Sequence, residues 1–322
     1  MNETNAQTVA AAQSAPAPAT SSARPFYWSV RRELWEHRSL YLAPAIVALV
    51  LLLAMIVGAF KLPPAIATFD SLSPDKQREL ASAPYAVVAL ILVATAMVVA
   101  LFYCLDALFG ERRDRSVLFW KSMPVSDRTA VLAKVAVPML VVPAFLFVLI
   151  TATQLIVLLG NVLLWGVKGL SVSNLLQRLP LLDMPVGVAY LVVTLALWYA
   201  PIYAWLLLVS AWARRSALAW AVVPWIAITA FEQLMLRTSH VARWLRDRFF
   251  GGFDAAFSTR EPLAEAARRA QQGGEAMAGG ADYTPDLVRF LSNPDLWFGV
   301  AIAVWLIVLT IWLRRRQESQ TD

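Results

Sequence analysis

The sequence is poor in the residues that carry chemistry. It has one cysteine, Cys104, so neither a disulfide framework nor a thiolate metal site can form within a single chain. It has two histidines, His37 and His240, which the topology argued below places on opposite sides of a membrane. That separation argues against a shared metal site, and with so few histidines a nucleophile paired with a histidine base is disfavoured as well. No Gly-x-x-x-x-Gly-Lys-[Ser/Thr] string is present to cradle nucleotide phosphates, and the nearest glycine cluster, residues 160–169, lacks the spacing. Charge is also scarce, at 16% of residues. Inside the long apolar blocks the ionisable groups are Asp106 and Glu232, each near a block end. With no chain of carboxylates across a membrane midplane, a proton- or sodium-coupled carrier is disfavoured. Asp106 is expected to pair with Arg112 or Arg113. No repeat relates the first half of the chain to the second, so a pseudo-symmetric carrier gains no support either.

What the sequence has is apolar length. Of its 322 residues, 59% are hydrophobic, gathered into six blocks at 40–60, 85–109, 135–159, 186–209, 218–234 and 296–313. A hydrocarbon core of about 30 Å is crossed by roughly 20 such residues in a helix. The fifth block is the weakest, being short, carrying Pro224 and running into Glu232. Pro44, Pro138, Pro143, Pro201 and Pro224 fall inside blocks, where they free backbone carbonyls and can kink a helix. The expected fold class is an all-α membrane protein with about six transmembrane helices.

The formal charge of +6 does not point to nucleic acid, because Arg and Lys stand beside the apolar blocks instead of along a soluble face. With a cytoplasmic N-terminus, the inside flanks hold Arg24, Arg31, Arg32 and Arg38, then Arg112, Arg113, Arg115, Lys121, Arg128 and Lys134, then Arg214 and Arg215, and finally Arg314, Arg315 and Arg316. The short outside loops hold Lys61, Lys76, Arg78, Lys168 and Arg178. This asymmetry is expected to put both termini on the cytoplasmic side of the membrane.

The domain plan follows. Residues 1–23 have neither a basic n-region nor an apolar core, and read as a disordered Ala/Ser/Pro tail without a cleavable signal. Residues 24–39 form an amphipathic elbow. There Phe26, Val30 and Leu34 recur at spacing four, with Tyr27, Trp28 and Trp35 nearby, and Arg31, Arg32, Glu33, Glu36, His37 and Arg38 supply polarity. Residues 40–234 hold spans one to five, including a cytoplasmic loop at 110–134, and residues 296–322 hold the sixth span and a tail. Residues 235–295 form a long external loop. In that loop Val241, Trp244, Leu245 and Phe249 suggest an interfacial helix, and 251–280 is a flexible Ala/Gly/Gln-rich stretch. Thr284-Pro285-Asp286 supplies an N-cap and N1 proline, and Asn293-Pro294-Asp295 caps the last span.

The 110–134 loop is the most informative segment. Its centre, residues 116–123 (SVLFWKSM), is apolar and aromatic but far too short to span, and is bracketed by Arg-rich sequence and by Pro124. It is expected to be a short helix beginning near Asp114. Exposed Val117, Leu118, Phe119 and Trp120 need a cover. Two readings stay open: a cleft in a soluble subunit, or lipid headgroups with Trp120 in an aromatic belt.

Residues 106–127, from Asp106 through GERRDRSVLFWKSMPVSD and on into a third span, resemble the loop of bacterial type-two ABC transporter permeases, which are exporter-like. Residues 31–39, RRELWEHRS, resemble the elbow of the same family. The resemblance implies that the short helix is a coupling helix, with Arg112, Arg113, Asp114, Arg115, Val117, Leu118, Phe119, Trp120, Lys121 and Met123 contacting an ATPase subunit. Arg31, Arg32, Leu34 and Trp35 would belong to the elbow. It further implies a second permease chain, lipid as solvent, and no cofactor in this chain, with ATP and magnesium held by the partner. The sixty-residue loop before the last span is longer than in many relatives. A non-transporting scaffold or sensor subunit is the alternative. An intramembrane enzyme would need a buried constellation that these residues do not supply.

Overall fold

The computed structural model describes residues 23–60, 73–113, 126–169, 171–258 and 284–318. Helix α1 (Ala23–Glu36) turns at His37 and Arg38 into α2 (Ser39–Phe60). Next come α3 (Pro74–Asp106), the short α4 (Phe109–Arg113), α5 (Asp127–Ala136), a π turn at Val137–Val141 and α6 (Val142–Val167). A small helix α7 (Val172–Arg178) leads to α8 (Asp183–Trp212) and α9 (Ala217–Phe231), which ends in a second π turn, Glu232–Leu236. Then follow α10 (His240–Ala256), a two-residue antiparallel pair, β1 (Phe257–Ser258) with β2 (Thr284–Pro285), α11 (Leu287–Leu291) and α12 (Pro294–Glu318).

Six of these stretches are long and apolar enough to cross a membrane: Ser39–Gly58, Lys76–Arg113, Asp127–Val167, Asp183–Trp212, Ala217–Leu236 and Pro294–Arg316. The chain is an all-α, multi-pass membrane protein. The second and third stretches outrun their apolar blocks because polar flanks at 74–84 and 126–134 continue the helix.

Helix α8 is the axis of the bundle. Two-thirds of its apolar window is buried (67%), against 17% for α2 and 11% for α9, which puts those two at the periphery. Accordingly α8 is apolar all round, with runs such as Trp198–Pro201 buried residue after residue. It meets α12 through Ala200, Ala204 and Ala303 beside Leu306, small residues that let two backbones approach in a medium where apolar burial drives nothing. Within the spans, Thr153 and Thr310 donate to Leu149 O and Leu306 O on the preceding turn of their own helices.

The prolines behave unevenly. Pro44, Pro201 and Pro224 lie inside helices that continue through them. Pro138 falls within the π turn and Pro143 just after it, where Val142 N donates to Val137 O five residues back.

The segment between the fifth and sixth spans is anchored to α8. Glu232, buried at the end of its span, accepts from Thr238 Oγ1 (2.9 Å), His240 N and Val241 N (2.8 Å), so its carboxylate caps α10. Arg248 stacks its guanidinium 4.5 Å from the Trp198 ring and donates to Asp295 O, while Trp198 Nε1 and Tyr199 Oη donate to the carbonyls of Arg248 and Phe249. The buried stripe of α10 is therefore Arg248, Gly252 and Ala256, and Phe249 is exposed. Phe249, on the apolar side that suggested an interfacial helix, is turned away from α8, whose Trp198 and Tyr199 donors are met by two carbonyls of α10. Two expectations shift. Residues 251–256, expected to be flexible, continue α10, and the cap of α11 is Asp286, which accepts from Arg289 N, while Thr284 and Pro285 pair as a strand. Asn293 Oδ1 accepts from Asp295 N at the start of α12, as its spacing suggested.

Candidate functional site: a buried ionic clamp around the roots of the 114–125 segment

Of the expected contact residues, Asp114, Arg115, Val117, Leu118, Phe119, Trp120, Lys121 and Met123 lie outside the described residues, as does the short helix assigned to them. The structure describes instead the two roots of that segment, α4 before it and α5 after it, and both are held by charge.

Three helices contribute to the centre of the clamp. Glu33 belongs to the same face of α1 as Val30 and Leu34, which pack on the core, so its carboxylate is carried inward and only 1% of the residue is exposed. Lys134, near the end of α5 and also 1% exposed, donates to Glu33 Oε1 at 2.8 Å and lies 3.0 Å from Glu111 Oε1 of α4. Arg32 lies against the same two carboxylates, 3.0 Å from Glu33 and 2.6 Å from Glu111, and 3.4 Å from Glu36. Tyr103 Oη donates to the second oxygen of Glu33 at 3.1 Å. From α12, Arg314 reaches Glu111 at 3.5 Å and Asp127 at 3.1 Å. Elbow, both roots and last helix thus meet at one knot.

Charges out of water cost several kcal/mol each, and their mutual attraction offsets this only when further hydrogen bonds fill the remaining lone pairs. Glu33 meets that condition, since both oxygens are engaged.

A second tie holds α4 to α8. The helix ladder breaks at Ala107 and Leu108, and Ser210 Oγ of α8 accepts from Leu108 N (3.0 Å) and Phe109 N (2.9 Å), using both lone pairs of one hydroxyl. Arg112 donates to Ser210 O (2.5 Å) and Ala213 O (2.8 Å), carbonyls that the end of α8 leaves without helical partners. Arg112 is thus a C-cap supplied by another helix, and its expected pairing with Asp106 does not form. The Asp106 carboxylate lies instead against Gly110, where a Cβ would come within 3.2 Å of Oδ1. Arg113 is exposed.

Of the elbow residues, Leu34 packs on the core, Arg32 joins the knot, and Arg31 and Trp35 face away from it. His37 stacks edge-on to Tyr103 with ring centroids 4.9 Å apart. Burial holds its pKa below the usual histidine value, against the opposing pull of Glu33. Burial likewise raises the carboxyl of Glu36, opposed by Arg32.

Glu33, Glu36 and His37 place one possible metal-ligand atom each within 4.8 Å of one another. They do not fit a metal, because a cation there would have to displace Lys134 and Arg32 from Glu33. The knot has no free nucleophile among the described residues, and what it does physically is join five helices, α1, α3, α4, α5 and α12. Two small apolar cavities flank Pro138, lined by such residues as Met97, Leu146, Tyr199 and Tyr203 on one side and Met139, Ala204 and Ile307 on the other.

Sequence reasoning missed Glu33, Glu111 and Lys134 as members of a site. The available signal was an acidic residue at the apolar spacing of α1, between Val30 and Leu34. No protein-family model matches the chain, and no curated protein and no solved structure matches it.

Proposed function

We propose that this chain is the transmembrane permease subunit of an ATP-driven ABC transporter, of the exporter kind, working with a separate ATPase that docks on residues 115–123. The observation that carries the reading is the clamp. A segment whose two roots are tied by buried ion pairs to the elbow and the last helix, and by Ser210 and Arg112 to the central helix, cannot be pushed without moving all of them. Packed interfaces of this kind shift between discrete arrangements instead of deforming smoothly. A protein with no nucleotide-binding loop in its own sequence then needs its ATP and magnesium in a partner, and an alternating pathway needs a second permease chain. The same reading puts both termini in the cytoplasm of a bacterial inner membrane and the 235–295 segment outside.

The test is co-purification. The tagged chain, extracted from its native membrane in mild detergent, is expected to bring down a Walker-motif polypeptide in a fixed ratio with ATP hydrolysis attached. Phe119→Ala with Trp120→Ala should lose that polypeptide while remaining in the membrane. Unchanged association in the double variant would refute docking at this segment. A chain purified intact without any ATPase would favour the scaffold or sensor reading.

A further inference from the structure

Helix α1 has two unlike long sides. Toward the bundle it presents Val30, Leu34 and the buried Glu33. Away from the bundle it exposes Tyr27 (59%), Trp28 (58%) and Trp35 (63%). Three large aromatics on fourteen residues are not a face for water, and the helix runs through a two-residue turn into the first span at Ser39. It therefore lies within headgroup distance of the hydrocarbon, the level at which indoles and phenols concentrate.

Two neighbouring arginines on this helix have opposite circumstances. Arg32 is surrounded by Glu33, Glu36 and Glu111. The Arg31 guanidinium lies 5.0 Å from the Trp28 ring and 4.8 Å from the Trp35 ring, with no carboxylate and no hydrogen-bond acceptor among the described residues. Positions 28, 31 and 35 follow one another along one helical face, so the cation sits between two indoles at spacings of three and four. A guanidinium has five N–H donors in a planar fork that matches a phosphodiester. Stacking on rings uses none of them.

We propose that Trp28, Arg31 and Trp35 form a site for one anionic phospholipid, whose phosphodiester is the missing counter-ion of Arg31 and whose glycerol region packs against the exposed indoles. The lipid thereby becomes a ligand of the helix whose opposite face carries Glu33 into the clamp. This inference rests on exposure, charge and the adjoining span, and stands apart from the transport reading.

The test uses the full chain delipidated in detergent, then offered phosphatidylglycerol and phosphatidylcholine in equal amounts, with bound lipid counted by native mass spectrometry. The chain is expected to retain the anionic lipid over the zwitterionic one by about fivefold, the worth of one surface arginine against an anionic headgroup. Arg31→Ala should abolish the preference with an unchanged gel-filtration profile, and Arg31→Lys should keep part of it. Trp28→Ala with Trp35→Ala should lower retention of both lipids. Arg246→Ala, which removes an exposed arginine paired with Asp247, should leave the preference intact. Equal retention of the two lipids, or an Arg31→Ala variant that keeps the preference, would overturn the assignment. So would a disulfide between two copies through Trp35→Cys in native membranes, since a second chain would then cover the face.

Discussion

Replacing Lys134 by methionine should be far more damaging than its position at the end of an apolar block suggests. The ammonium lies 2.8 Å from Glu33 and 3.0 Å from Glu111, and both lysine and Glu33 side chains are at least 98% buried by exposures of 1% and 2%. Among the described groups at the knot, Arg32, Lys134 and Arg314 face Glu33, Glu36, Glu111 and Asp127, so loss of Lys134 turns an excess of one negative charge into two. Removing one partner of a buried pair strands the other and costs about 3–5 kcal/mol. That is roughly two to four orders of magnitude in the folding equilibrium. The informative variant is the double, Lys134→Met with Glu33→Gln. It removes the stranded carboxylate and keeps an oxygen for Tyr103 and the Glu111–Arg32 contact, so it should recover about 1–3 kcal/mol relative to the sum of the two single changes. Thermal unfolding of the detergent-solubilised chain, followed by gel filtration, measures the four corners of the cycle. A double variant as unstable as that sum would refute the reasoning, because the two groups would then not be acting on each other.

Other outcomes test separate parts of the account. Ser210→Ala leaves the N–H groups of Leu108 and Phe109 without their acceptor and should cost about 1–3 kcal/mol in the same unfolding assay. Gly252→Ala would put a Cβ 2.7 Å from Trp198 Cδ1 and should destabilise by about 1–3 kcal/mol. Gly187→Ala, which meets nothing within 4 Å, should be neutral or slightly stabilising. Because burial lowers the His37 pKa from 6.5, the unfolded chain takes up its proton first as pH falls. Stability should therefore be full above that value and decline below it, and His37→Gln should flatten the slope of the unfolding temperature between about pH 7 and 5. Charge reversal at Arg112 should lower the unfolding temperature of the chain itself, since its guanidinium caps α8.

The spans were legible because lipid-facing helices write themselves as uninterrupted apolar runs, and even the weak fifth block forms its helix as Ala217–Leu236. The flanks were less legible. Residues 74–84 and 251–256 are polar or glycine-rich and carry no apolar run to mark them, yet they belong to helices α3 and α10. The clamp was hidden for a different reason. Arg32 and Glu111 stand 79 positions apart, Glu33 and Lys134 101, Asp127 and Arg314 187. Periodicity reports on one helix at a time and carries no trace of such pairings. Beside the apolar blocks Lys134 and Arg314 have the form of topogenic charge, which describes their place at the membrane but not their partners. The donation of Arg112 to the bare carbonyls of α8 is equally hidden, since nothing in an Arg-rich run marks which side chain turns inward. The expected coupling helix lies in residues outside those described, so its aromatic cluster stands on the resemblance of its sequence.

The central claim is that force on the 114–125 segment reaches the bundle through the clamp. It is tested most directly by spin-label distances between Arg38→Cys on the elbow turn and Arg215→Cys beyond α8, in the complex with the proposed ATPase. The account expects a change in that distance when the nucleotide is trapped with vanadate. The change should shrink in the Lys134→Met, Glu33→Gln double variant, which cuts the tie between elbow and α5, while ATPase binding persists. An identical nucleotide-dependent change in that variant would contradict it.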